Sequence, residues 1–110
     1  MKNKVQSGNV ISVIAPYLVL SGQGVLVGAL FGVAGNDAAN GAPVEIDRTG
    51  VYTLVANTAD TGTVGTKMYW DNTNRRLTTT ATSNTLVGAL AVAKGGADTT
   101  ATVLLDGVVR

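Results

Sequence analysis

Glu45 and Asp47 stand two residues apart in the segment PVEID, so on an extended strand both carboxyl groups leave the same face. Two carboxylates facing each other across a cleft at roughly 5–9 Å are the machinery of glycoside hydrolysis. The rest of the chain does not support that chemistry. It contains no histidine and no cysteine, which removes the usual general base near neutral pH and the commonest metal ligand. Disulfides, thiolate metal sites and cysteine nucleophiles go with them, and the redox compartment is left undetermined. The other acids, Asp37, Asp60, Asp71, Asp98 and Asp106, show no calcium-loop spacing. Closing turns and strand ends is the expected role of all seven carboxylates.

Three glycine-rich stretches invite a nucleotide-binding reading, and all three fail it. GQGVLVG at 22–28 is one residue too long for the dinucleotide fingerprint, and no helix is expected after it. GTVGTK at 62–67 lacks the spacing that wraps backbone amides around phosphates, and GGAD at 95–98 is turn chemistry. Arg75 and Arg76 next to Tyr69 and Trp70 form the one aromatic-plus-basic cluster. Such a group can grip nucleic acid, but beside a net charge of +1 a cross-strand or cation–π pair inside a hairpin is the simpler role. A second use for Trp70, Tyr69 and Tyr52 is as the platform of a small carbohydrate- or surface-binding module.

Charge names no partner, because 8 basic residues nearly cancel 7 acidic ones. Its scarcity says more. Charged residues make up 14% of the 110-residue chain and apolar ones 45%, against a usual charged share of about 25%. Either neighbouring subunits cover part of this surface, or it is a neutral coat of Thr, Asn and Gly. Lys2 and Lys4 precede an apolar run at 10–20, but Ser12 and Pro16 break it and no clean cleavage site follows, which reads against a signal peptide. That run and the one at 25–34 both fall short of the roughly 20 residues that span a bilayer. Residues 1–9, MKNKVQSGN, read as a polar arm that is disordered or ordered by docking on a partner, leaving residues 10–110 as one domain.

Positioning any of these side chains falls to short strands. Apolar runs rich in Val, Ile, Leu, Thr and Tyr, punctuated by Gly, Asn and Asp, predict an all-β domain with strands at 10–14, 17–20, 25–33, 43–47, 51–56, 67–70, 76–80, 86–93 and 101–109. Pro16 ends or bends the first. YWDNTNRRLTT predicts a hairpin turning at 71–74, and NDAAN at 36–40 a single helical turn. The phrase LVGAL occurs at 26–30 and again at 86–90. Each copy leads through a small polar loop to a returning apolar run that ends in an acid, Asp47 or Asp106. Two hairpin-like units packed as related halves would explain this, as would chance likeness of Gly- and Val-rich stretches. An apolar run without polar alternation expects cover on both faces.

Taken in order, VQSGNVISVIAP (5–16), SGQGVLVGALFGVAGNDAANGAPVEIDRTGVYTL (21–54), GTKMYWD (65–71) and VGALAVAKGGADTTATVLLDG (87–107) resemble the capsid cement, or head decoration, proteins of tailed bacteriophages. Gln23 stands where that pattern leads one to expect an acid. The resemblance implies a jelly-roll or barrel-like sandwich on the exterior of the phage head, made in the host cytoplasm and bound to the major capsid protein and to itself, as a homotrimer or, second, a dimer. It implies no cofactor, metal, nucleic acid, membrane or small-molecule substrate and no catalytic residues. The recombinase label sometimes attached to the family finds no nucleotide loop here. Lys2, Lys4, Val5, Tyr17, Tyr69, Trp70, Arg75 and Arg76 are the residues expected at interfaces with capsid or subunit.

Overall fold

The computed structural model describes residues 10–107, so the arm at 1–9, with Lys2, Lys4 and Val5, and the chain beyond 107 lie outside the described residues. Nine strands run β1 Val10–Ile14, β2 Gly24–Val27, β3 Leu30–Ala34, β4 Pro43–Asp47, β5 Thr49–Val55, β6 Lys67–Asp71, β7 Arg76–Thr78, β8 Thr85–Leu90 and β9 Thr100–Asp106. They form two antiparallel sheets, the first ordered β1-β4-β3-β2 and the second β5-β9-β8-β6-β7. The all-β expectation holds. The second sheet curls until its ends touch: Ala56, just past β5, makes a parallel bridge with Leu77 of β7, and the amide of Asn57 donates to the Leu77 carbonyl. This half is therefore barrel-like.

The first sheet has a core on each side. Phe31 and Val33 face the second sheet and pack with Leu54, Met68, Trp70, Leu77, Leu90 and Val103, with Leu26 against them. Val25, Ala34, Val44 and Ile46 face the other way and are roofed by Ala15, Val19 and Ala38 from the two loops that cross that face. Alternate residues of β2 and β3 thus enter alternate cores, which is why these strands carry no polar period. The second copy of the repeat differs. Ala101, Val103 and Leu105 of β9 point inward, while Thr100, Thr102 and Leu104 point outward.

The predicted strand at 25–33 is two strands. Val27 pairs with Leu30, so Gly28 and Ala29 form a two-residue hairpin loop, and Gly28 has φ +59° where Ala29 is not positive. A glycine first in such a loop sets the turn that matches the twist of its strands. The same letters at 86–90 run straight through β8. There Gly88 lies so close to β9 that a Cβ would meet the Leu104 carbonyl oxygen at 2.0 Å. One phrase takes two shapes, fixed by what each glycine faces. The returning strands meet the expectation: β3 pairs with β4 and β8 with β9, with Asp47 and Asp106 at their ends.

Two more expectations need correction. Residues 17–20 form no strand; Val19 and Ala38 make an isolated bridge. Extension stops because a turn follows at once, the Gln23 amide donating to the Leu20 carbonyl and the Leu20 amide to Gln23 Oε1. Gln23 thereby supplies an acceptor that an acid would also supply. Residues 36–40 form no helical turn, since Asp37 Oδ1 accepts the amide of Ser21 and Asn36 Oδ1 that of Glu45, drawing the segment across the sheet. The three glycine-rich stretches are turns or turn-to-strand junctions, with Gly22 at φ +90°, Gly65 at φ +91° and the Gly95 amide donating to Asp98 Oδ2.

Candidate functional site

Trp70 sits near the end of β6 with its ring turned inward, 3% exposed and 5.0 Å from the Phe31 ring between centroids. Its indole N–H donates to Asn72 Oδ1, so the one polar atom of the ring is satisfied at the mouth of the core. Gly24 of β2 passes so close that a Cβ there would meet the Trp70 ring at 2.8 Å. Trp70 is therefore a core residue and not the interface residue expected, and its burial also takes it out of the alternative platform with Tyr69 and Tyr52. Tyr69 is half-buried on the outer side of β6, and Tyr52 donates its hydroxyl to Asp47 Oδ2. That bond ties the end of β4 to β5 and raises the Tyr52 pKa, because the facing carboxylate favours the neutral phenol.

The hairpin β6–β7 turns as predicted at its acid. Asp71 pairs with Arg76, and its carboxylate accepts the amides of Thr73 and Asn74 and the Asn74 side chain. Those bonds from Asn74, above all, hold the Asp71 carboxyl below its ordinary value. The residue at positive φ is Arg75 (55°), which throws its side chain out of the hairpin. The guanidinium does not lie on Tyr69 or Trp70. It lies 3.5 Å from the ring centroid of Tyr17, a residue of the loop after β1. Tyr17 donates its hydroxyl to the Gly24 carbonyl, and burial pushes its pKa up despite a backbone hydrogen bond at Leu26 and the nearby Arg75 cation.

Tyr17 and Arg75 close one end of a groove of about 360 Å³. Its lining takes in Trp70, Leu18 and Leu20 of the loop after β1, and Thr53, Val55 and Thr100 of β5 and β9. Leu18 is 66% exposed, a high value for leucine. Beyond Val55 the same surface continues over paired rows of β5 and β9: Val55 opposite Thr100, Thr53 opposite Thr102, Val51 opposite Leu104. The two threonine hydroxyls are 3.0 Å apart. None of these six outward positions carries a charge. Sequence reading found Tyr17, Trp70 and Arg75 of this site and missed Leu18, Leu20, Val51, Val55 and Leu104. The signal available was the period-2 pattern of TATVLLD, whose outward leucine breaks an otherwise polar row.

The proposed acid pair is not a site. Glu45 is exposed beside Ser12 and Asn36 in a shallow depression, while Asp47 is occupied by Tyr52 and the Thr49 amide. Among the described residues no group of three or more acids, histidines or cysteines is placed to hold a metal ion, and no helix is long and apolar enough to cross a membrane.

A β domain whose exposed side joins a largely apolar groove, with Arg75 as the charged residue of its lining, to an uncharged sheet face is shaped for broad contact with other protein, and comparison with known families agrees. A family model described as phage cement protein matches residues 5–105. The chain belongs to the phage cement protein family. Neither the curated proteins nor the solved structures yield a match. As a phage cement protein the chain is a structural component of the virion capsid, and its relevant chemistry is association with that capsid.

Proposed function

We propose that this cement protein binds the outer surface of the assembled phage head and stabilises the shell by bridging neighbouring major capsid protein subunits, without turning over any substrate. The observation that carries the reading is the exposed apolar surface of Leu18, Leu20, Val55, Val51 and Leu104, whose groove carries a single charged lining residue, Arg75. An exposed apolar patch rimmed by polar groups is the usual mark of a protein-binding face. A ligand that binds the closed shell and not its free subunits raises the free energy of disassembly by mass action, and many copies add avidity. Copies act as a homotrimer at or near local threefold axes, with a dimer as the second arrangement, and the arm at 1–9 adds contacts through Lys2, Lys4 and Val5. Synthesis is in the host cytoplasm, and nucleic acid, membrane and cofactors play no part.

The test is binding to purified expanded heads and to unassembled capsid protein. Wild type should bind heads alone and raise the temperature at which they release DNA. Leu18→Asp with Val55→Asp should fold and lose head binding at least tenfold. Equal binding to free subunits, or full binding by that double variant, overturns the reading.

A further inference from the structure

β1 is the outermost strand of the first sheet, and the direction of its backbone groups follows from its neighbours. The Ala15 amide donates to the Ala42 carbonyl in the same register that sets Ser12 opposite Glu45. In an antiparallel ladder the bonding pairs alternate, so Ile11 and Val13 bond to β4 while Val10, Ser12 and Ile14 do not. Two facts on β4 agree. Glu45 spends its amide on Asn36 and its carbonyl on the Gly35 amide, both away from β1, and Pro43, opposite Ile14, has no N–H to give. The N–H and C=O of Val10, Ser12 and Ile14 therefore point out of the sheet, where no described residue meets them.

Such an edge is ordinarily blunted by a lysine, a proline or a bulge within the strand. VISVI has none, and its exposed side chains are Val10 and Ile14 with Ser12 between them. The pattern is symmetric about Ser12. Turned about a twofold axis there, Val10 of one copy falls opposite Ile14 of the other, Ile11 opposite Val13, and Ser12 opposite itself. All three outward-bonding positions then meet outward-bonding positions, giving six backbone hydrogen bonds. No charge falls on the contact. The Glu45 residues of the two copies come three strand spacings apart, roughly 14 Å, beyond the screening length of about 8 Å in physiological salt.

We infer that β1 is a self-pairing edge through which two copies of this chain join antiparallel about a twofold axis at Ser12, extending two four-stranded sheets into one of eight strands. The pairing does not depend on head binding. In a homotrimeric arrangement it links one trimer to the next, and otherwise it forms the dimer.

The chain has no native cysteine, so a single introduced one reports on its own surroundings. Full-length Ser12→Cys, oxidised with copper phenanthroline, is expected to give a covalent dimer, and Thr53→Cys on the β5–β9 face is expected to give at least tenfold less. Ser12→Pro removes one outward N–H and no bond to β4, so it should melt within a few degrees of wild type while the self-associated species in sedimentation is lost. Ser12→Cys that stays uncoupled, Ser12→Pro that sediments as wild type does, or a Ser12 amide protected from hydrogen exchange in a protein that sediments as a monomer would each overturn the inference. The last result would mean that the chain covers its own edge.

Discussion

The guanidinium of Arg75, at the tip of the β6–β7 hairpin, stacks 3.5 Å from the ring centroid of Tyr17, a residue of the loop that follows β1. The contact joins the two sheets at the mouth of the groove, and neither residue is close to the other in sequence.

Arg75→Ala should cost about 0.5–1 kcal/mol, the range of a partly exposed cation–π contact. Arg75→Lys should recover part of that, and Tyr17→Leu should make the two Arg75 variants equally stable. A double-mutant cycle by urea denaturation measures the coupling, and additive effects would show the stack to be without energetic weight.

The two glycines of the repeated phrase should respond differently to the same change. Gly28→Ala places a Cβ in open space at φ +59° and should cost about 1–2 kcal/mol, the left-handed penalty. Gly88→Ala drives a Cβ into the Leu104 carbonyl and should cost about 3 kcal/mol or more, enough to lower soluble yield. Equal losses in thermal melting would contradict the geometry.

Asp60 should make the fold acid-sensitive. Burial works against its charge, but the Thr78 hydroxyl at 2.6 Å, the Thr79 amide at 3.0 Å and nearby Lys94 outweigh this and hold its pKa below the ordinary 3.8. A carboxyl depressed in the folded state contributes stability that is fully present above the unfolded value and is lost as pH falls through the folded one. Asp60→Asn should cost about 1–2 kcal/mol at neutral pH and flatten stability below about pH 4. A mutant whose deficit persists undiminished at pH 2 would refute the assignment.

Trp70 is the single tryptophan, so its emission reports one site. The native spectrum should be blue-shifted and should move to the red on unfolding. Trp70→Ala should cost about 3–5 kcal/mol, as large core truncations do, and Trp70→Phe much less. A red, quencher-accessible native spectrum would restore Trp70 to the surface.

Much of the fold was legible because its causes are local. Pro16 does follow the first strand, Asp71 does turn its hairpin, and the unbroken apolar run through β2 and β3 does have cover on both sides. The course of LVGAL was not legible, since nothing within the phrase tells a turn glycine from one pressed against a neighbouring strand. The same limit hid the site. Arg75 finds its aromatic partner across the fold, in Tyr17, and the hairpin partnership expected of Trp70 with the arginines gives way to burial against Phe31 and Gly24.

The first sheet, with apolar packing on both sides, works as a party wall. Loosening the roof of Val19 and Ala38 strips one side of β2, β3 and β4, and those strands also hold Phe31 and Val33 against the barrel half. Neither half can melt alone without exposing what the other rests on. A calorimetric scan should therefore record one transition whose van't Hoff and measured enthalpies agree. A load reaching either side would be resisted by all nine strands together.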